Sequence, residues 1–123
     1  MRVLYIDDDR INGLLFEEAC RLDADLEVQL AFDGAEALLL AAEWQPDVLV
    51  VDLHLPDTDG LCLLKALRAL PACTTQPAFL CTAEEPSDVR SRAIEAGYLD
   101  CWPKPIDVGA TLATLRRLRN GAG

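Results

Sequence analysis

Short apolar runs at residues 3–6, 26–31, 48–51, 78–81 and 99–102 alternate with stretches whose apolar positions recur every three or four residues. That alternation predicts repeated strand–helix units around a parallel sheet. Val48, Leu49, Val50 and Val51 are apolar without a break, as in an internal strand covered on both faces. Leu26, Glu27, Val28, Gln29 and Leu30 alternate, as on an edge strand.

Between the runs, Ile11, Leu14, Leu15 and Leu22 share one face of a first helix, the stripe expected to meet the sheet, with Asp9 as its N-cap. Asp33 and Glu36 form a capping box for a second helix running to about Glu43, which Pro46 keeps from continuing. Leu63, Leu64, Leu67 and Leu70 mark a third helix, opened near Gly60 and stopped at Pro71. A fourth, the least apolar, spans residues 87–96 and closes at Gly97. Asp107 caps a fifth, with Val108, Leu112, Leu115 and Leu118 on its buried stripe.

At 123 residues, 51% of them hydrophobic and 26% charged, the chain is sized for one domain that buries roughly two-thirds of its unfolded surface without staples. The expected division is a domain over residues 1–119 and a tail over 120–123. A formal charge of −10 argues against nucleic acid or anionic lipid as a partner. Arg116, Arg117 and Arg119 read as a solvated last helical turn. The five cysteines (Cys20, Cys62, Cys73, Cys81 and Cys101) show no metal-binding spacing, and four of them sit in apolar surroundings that read as buried small hydrophobes, which points to a reducing cytoplasm. The N-terminus is too short in apolar residues for a signal peptide, and no run approaches the ~18 apolar residues of a membrane span.

In an open parallel sheet, ligands bind beyond the carboxyl ends of the strands, where the strand order reverses. With order 2-1-3-4-5, Asp7, Asp8 and Asp52 converge there, while Thr82 ends the fourth strand and Lys104 follows the fifth. Carboxylates packed together repel one another unless a cation neutralises them, and oxygen donors suit Mg²⁺ or Mn²⁺. Such a site fits phosphoryl transfer, with Asp52 as nucleophile, Lys104 neutralising charge and Thr82 offering a hydroxyl. Lys104 lies between Pro103 and Pro105, where the backbone is stiff. His54, the single histidine, reads as a loop residue beside the site.

These motifs resemble the receiver domain of bacterial two-component response regulators along nearly the whole chain, from VLYIDDD through DVLVVDLHLPDTDG and FLCTAE to WPKPID. Asp7 and Asp8 match that family's acidic pair, Asp52 its phosphorylated aspartate, Pro56 and Gly60 the following loop, Thr82 its switch hydroxyl and Lys104 its lysine. The resemblance implies a flavodoxin-like (βα)₅ fold and Mg²⁺-dependent phosphoryl transfer to Asp52 from a histidine kinase or histidine phosphotransfer protein. It also implies a metal held by Asp8, Asp52 and the His54 carbonyl, with Asp7 acting through water, and a cis peptide before Pro105. Phosphorylation is expected to draw in Thr82 and alter the face of the fourth helix, fifth strand and fifth helix, where a downstream protein binds.

The sequence departs from the family three residues before Lys104, where Cys101 replaces the usual Tyr or Phe. Trp102 follows, but alternation points it to the other face. The ring-rotation part of the switch is therefore in question, whereas the phosphorylation chemistry is not. Two rival readings are an Mg²⁺-dependent aspartate-nucleophile phosphatase and a receiver-like binding module that is never phosphorylated. The phosphatase expects a second acid where His54 stands. With no effector motif after residue 119, the expectation is a free-standing regulator or a receiver from a longer protein.

Overall fold

The computed structural model describes residues 1–84 and 86–120; three of the four residues expected as a tail, 121–123, lie outside them. Five strands alternate with five helices: β1 (Arg2–Ile6), α1 (Arg10–Cys20), β2 (Glu27–Ala31), α2 (Gly34–Trp44), β3 (Val48–Asp52), α3 (Gly60–Arg68), β4 (Ala78–Thr82), α4 (Pro86–Ala96), β5 (Asp100–Pro103) and α5 (Val108–Arg119). All neighbouring strands pair in parallel, in the order β2-β1-β3-β4-β5. The edge position of β2 and the fully buried β3 follow their sequence patterns.

Alternation along each strand feeds two cores. Leu4, Ile6, Leu49, Val51, Leu80 and Cys101 face Ala37 and Ala41 of α2, Leu63, Leu64 and Leu67 of α3, and Val89 and Ala93 of α4. On the other face Val3, Tyr5, Val48, Val50, Phe79 and Cys81 meet Phe16 and Cys20 of α1 and Leu115 of α5. Each fully buried Leu, Val or Phe contributes about 1.5–3 kcal/mol, so the two layers together fix the sheet.

Local signals set the helix ends. Asp9 accepts from the Ile11 and Asn12 amides, Asp59 from Cys62 and Asp107 from Ala110. Asp33 accepts from the Glu36 amide while Glu36 reaches back to the Phe32 amide, one residue outside the reciprocal partner of a capping box. After α2, Gln45 turns left-handed at φ 56° ahead of Pro46. A short 3₁₀ turn (Pro71–Cys73), absent from the sequence reading, follows the end of α3.

Three expectations are corrected. The stripe Ile11, Leu14, Leu15 and Leu22 is exposed, and α1 instead buries Gly13, Phe16 and Cys20. Phe16 stacks on Tyr5 in the core, and Gly13 permits the close approach of this side to Leu30, whose Cδ1 would stand 3.2 Å from an added Cβ, so the Leu14–Leu15 side is left outward. In α5, Val108 is exposed at the first turn while Thr111 is buried beside Leu115. The basic end of α5 is not simply solvated, because Arg116 and Arg119 both bond the Asp23 carboxylate after α1, at 3.2 and 3.0 Å.

Candidate phosphoacceptor site

The site grows out of the sheet by continuing its ladders one residue past the strands. The Asp7 amide donates to the Ala31 carbonyl (3.0 Å), Leu53 to Cys81 (2.8 Å) and Lys104 to Thr82 (2.9 Å). These bonds fix the backbone on which Asp7, Asp52 and Lys104 project. Gly60 closes the far side: a Cβ there would stand 2.7 Å from the Asp52 carbonyl oxygen, so only glycine lets α3 start against the end of β3.

Asp7, Asp8 and Asp52 each bring a carboxylate oxygen to within 4.8 Å of the others. Asp7 and Asp52 are buried and Asp8 is exposed at the mouth. Lys104 Nζ lies 2.9 Å from Asp7 Oδ2 and 3.2 Å from Asp52 Oδ2. The Tyr5 hydroxyl donates to Asp7 Oδ2 at 3.2 Å and the Asp9 amide to Asp7 Oδ1 at 2.9 Å. Burial, with Cys81 and Asp7 nearby, pushes the Tyr5 phenol far up, so its proton stays available for that bond.

One ammonium therefore contacts two of the three carboxylates, Asp7 and Asp52. Burial first, and the charge of Asp7 second, raise Asp52 to about 6 in spite of Lys104. For Lys104 burial opposes the charged form, yet the bond to Asp7 and the charge of Asp52 outweigh it and hold its pKa above the ordinary lysine value. A divalent cation with hard-oxygen preference fits the donor set, since it would relieve the surplus negative charge through the ligand type it favours.

Thr82 is fully buried, and its Oγ1 accepts from the Glu84 amide at 3.0 Å. His54 is exposed; its Nε2 lies 3.1 Å from Glu84 Oε2, linking the loops after β3 and β4 across the mouth. Cys101 is buried on the α3–α4 face, while Trp102 stacks on Phe79 on the opposite face with ring centroids 4.4 Å apart. The Lys104–Pro105 peptide is cis. Sequence reasoning missed Tyr5, which reads as one more apolar strand position, and Asp57, whose carboxylate accepts from the Gly34 and Ala35 amides. Neither carried a local signal of its role.

The fold is thus a doubly wound α/β sheet of the flavodoxin-like class, with an acidic pocket where the strand order reverses. The sequence model of the family described as "Response regulator receiver domain" matches residues 3–116, and the chain belongs to that family. It is 37% identical to the transcriptional regulatory protein PrrA of Mycobacterium leprae, over 98% of this chain and 52% of that protein. It is 35% identical to the response regulator PleD of Caulobacter vibrioides, over 95% of this chain and 26% of that protein. The chain spans about half the length of PrrA and about a quarter of PleD.

Among solved structures, the receiver domain of the Francisella response regulator 1452 superposes with a TM-score of 0.87 at 26% identity, covering 99% of this chain and 98% of that one. The chemotaxis response regulator CheY4 of Vibrio cholerae gives 0.84 at 28%, covering 94% and 96%. Receiver domains are the phosphoacceptor modules of two-component signalling and generally bind Mg²⁺ at an acidic pocket. Membership of this family sets aside the phosphatase reading. Among the described residues, no helix is long and apolar enough to cross a membrane.

Proposed function

We propose that Asp52 is the phosphoacceptor, receiving a phosphoryl group from a phosphohistidine on a sensor kinase or phosphotransfer protein. An Asp52 carboxylate oxygen attacks phosphorus; the new O–P bond forms as the P–N bond to histidine breaks, and the imidazole keeps the electron pair. The observation that carries this reading is the placement of Lys104 Nζ 3.2 Å from Asp52 Oδ2, where an ammonium can also meet the oxygens of a phosphoryl group.

Asp7, Asp8, Asp52 and the His54 carbonyl would hold Mg²⁺ or Mn²⁺, Asp7 through water. When bound, the metal supplies neutralising charge for the carboxylates and the incoming phosphoryl oxygens. Lys104 anchors Asp52 and Asp7, and Tyr5 holds Asp7 in a fixed orientation. The Thr82 hydroxyl, which accepts from the Glu84 amide, donates its own proton to a phosphoryl oxygen, and its movement toward that oxygen shifts the loop before α4 and so the α4–β5–α5 face that a downstream protein reads. Cys101 offers no ring to follow that movement, so it either removes that readout or leaves it to the loop and α4 alone. Transfer and hydrolysis are self-catalysed, His54, Ala83 and Glu84 tune the phosphate lifetime, and the domain over residues 1–119 works in the cytoplasm. Cys20, Cys73, Cys81 and Cys101 are buried and Cys62 is exposed.

The test is incubation with acetyl phosphate and Mg²⁺ followed by intact-mass measurement. One phosphoryl group on the wild type and none on Asp52→Asn is the expected result; a phosphorylated Asp52→Asn variant overturns the site assignment. A wild type that gains no mass under donor excess favours the unphosphorylated binding module.

A further inference from the structure

The loop between β3 and α3 carries the His54 carbonyl, and its geometry is set at both ends. At the base, the Gly60 amide donates to the Leu53 carbonyl at 2.8 Å and His54 bridges to Asp59 in antiparallel fashion. Within the turn the Leu55 amide donates to the Thr58 carbonyl at 3.1 Å. At the tip, Asp57 leaves the loop entirely: its Oδ1 accepts from the Gly34 amide at 2.8 Å and its Oδ2 from the Ala35 amide at 3.0 Å.

Those two amides open α2 and have no partner inside the helix, and Asp33 caps only Glu36. The carboxylate is held below its usual range against burial, by the Gly34 bond first, then by the Ala35 bond and its own backbone amide. The loop also lies flat against the helix, since a Cβ on Gly34 would stand 2.7 Å from Thr58 Cγ2. Ala37 and Ala41 fix α2 in the core beside Leu4 and Ile6, so Asp57 grips a rigid element.

Resting on the metal reading above, we propose that Asp57 is a positioning residue for the metal site, tying the loop tip to the start of α2 and thereby setting where the His54 carbonyl stands beside Asp52. The tie spans 23 positions of chain and touches no candidate ligand directly. A helix cap without this role would affect stability alone.

The test is Mn²⁺ titration of the folded domain, followed by electron paramagnetic resonance, with folding checked by circular dichroism and urea denaturation. Asp57→Ala and Gly34→Ala disturb the contact from its two sides, and both are expected to raise the Mn²⁺ dissociation constant about tenfold, the scale on which outer-shell supports act. Asp57→Asn retains an acceptor oxygen and recovers part of the affinity. The Mg²⁺ concentration for half-maximal phosphorylation by acetyl phosphate rises in parallel, with the rate at saturating Mg²⁺ kept. Unchanged Mn²⁺ affinity in both variants, with lowered urea midpoints, reduces Asp57 to a cap and overturns the proposal while leaving the metal reading intact. A wild type that binds no Mn²⁺, or an Asp52→Asn variant that binds as tightly as wild type, overturns the metal reading and the proposal with it.

Discussion

The Lys104 ammonium lies 3.2 Å from the Asp52 carboxylate across 52 positions of chain, joining the end of β5 to the end of β3. Removing one partner of a buried pair leaves the other uncompensated, which costs about 3–5 kcal/mol in typical interiors. Lys104→Met is expected to lower the metal-free stability by roughly 2–4 kcal/mol at pH 7, the lower end reflecting the partial exposure of the lysine. The loss shrinks as the pH drops and the carboxylates take up protons. Urea denaturation at pH 7 and at pH 4 checks both statements.

Asp52→Asn acts in the opposite direction. With Asp52 raised to about 6 in the fold against an ordinary value of 3.8, its contribution to stability is fully present below 3.8 and is lost as the pH rises through 6. Replacing it by an amide removes that loss, so the metal-free variant should exceed wild type by on the order of 3 kcal/mol at pH 7, given about 1.4 kcal/mol per pKa unit. The two proteins converge toward pH 4. Calorimetry in chelator across that range reads the difference directly.

Mg²⁺ should reverse the ranking in part. A ligand at a hundred times its dissociation constant stabilises the form it binds by about 2.7 kcal/mol, so saturating Mg²⁺ raises the melting temperature of wild type more than that of Asp52→Asn or Asp8→Asn. Because ligand carboxylates must be ionised, the Mg²⁺ effect on wild type fades as the pH falls through 6. Equal Mg²⁺ shifts in all three proteins would place the cation elsewhere.

The two faces of α1 give a sharp contrast. Leu14→Ala removes a side chain that is 58% exposed and is expected to cost under about 0.5 kcal/mol, whereas Phe16→Ala empties a site stacked on Tyr5 and is expected to cost about 3–5 kcal/mol. Urea midpoints separate them. This is also where the sequence was least legible. The edge character of β2 and the Asp33 cap could be read from local patterns, because each depends on neighbours in the chain, whereas the strand order was carried by the family resemblance. The buried side of α1 was misread because Phe16 and Cys20 are outnumbered by the exposed leucines, and which stripe faces the sheet is settled by contact with Tyr5 and Leu30 far along the chain. Asp7, Asp52, Thr82 and Lys104 announced themselves as polar residues at strand ends. Tyr5 and Asp57 did not, since the partner of one and the tie of the other are set by tertiary contact.

Position 101 tests how the switch is transmitted. On adding beryllium fluoride with Mg²⁺, the Glu84 amide, which donates to Thr82, and the amides of α4 should shift in NMR spectra. The indole resonance of Trp102, held on Phe79 on the other sheet face, should stay in place. Thr82→Ala should abolish the α4 response. An α4 face that is unchanged by the mimic contradicts the switching mechanism.

The most direct measurement of the central claim is to trap the phosphorylated residue itself. Reducing the acyl phosphate with borohydride after incubation with acetyl phosphate and Mg²⁺, then sequencing the peptides by mass spectrometry, should place the reduced side chain at position 52 alone. Reduction at Asp7, Asp8 or any other carboxylate, with Asp52 intact, contradicts the account.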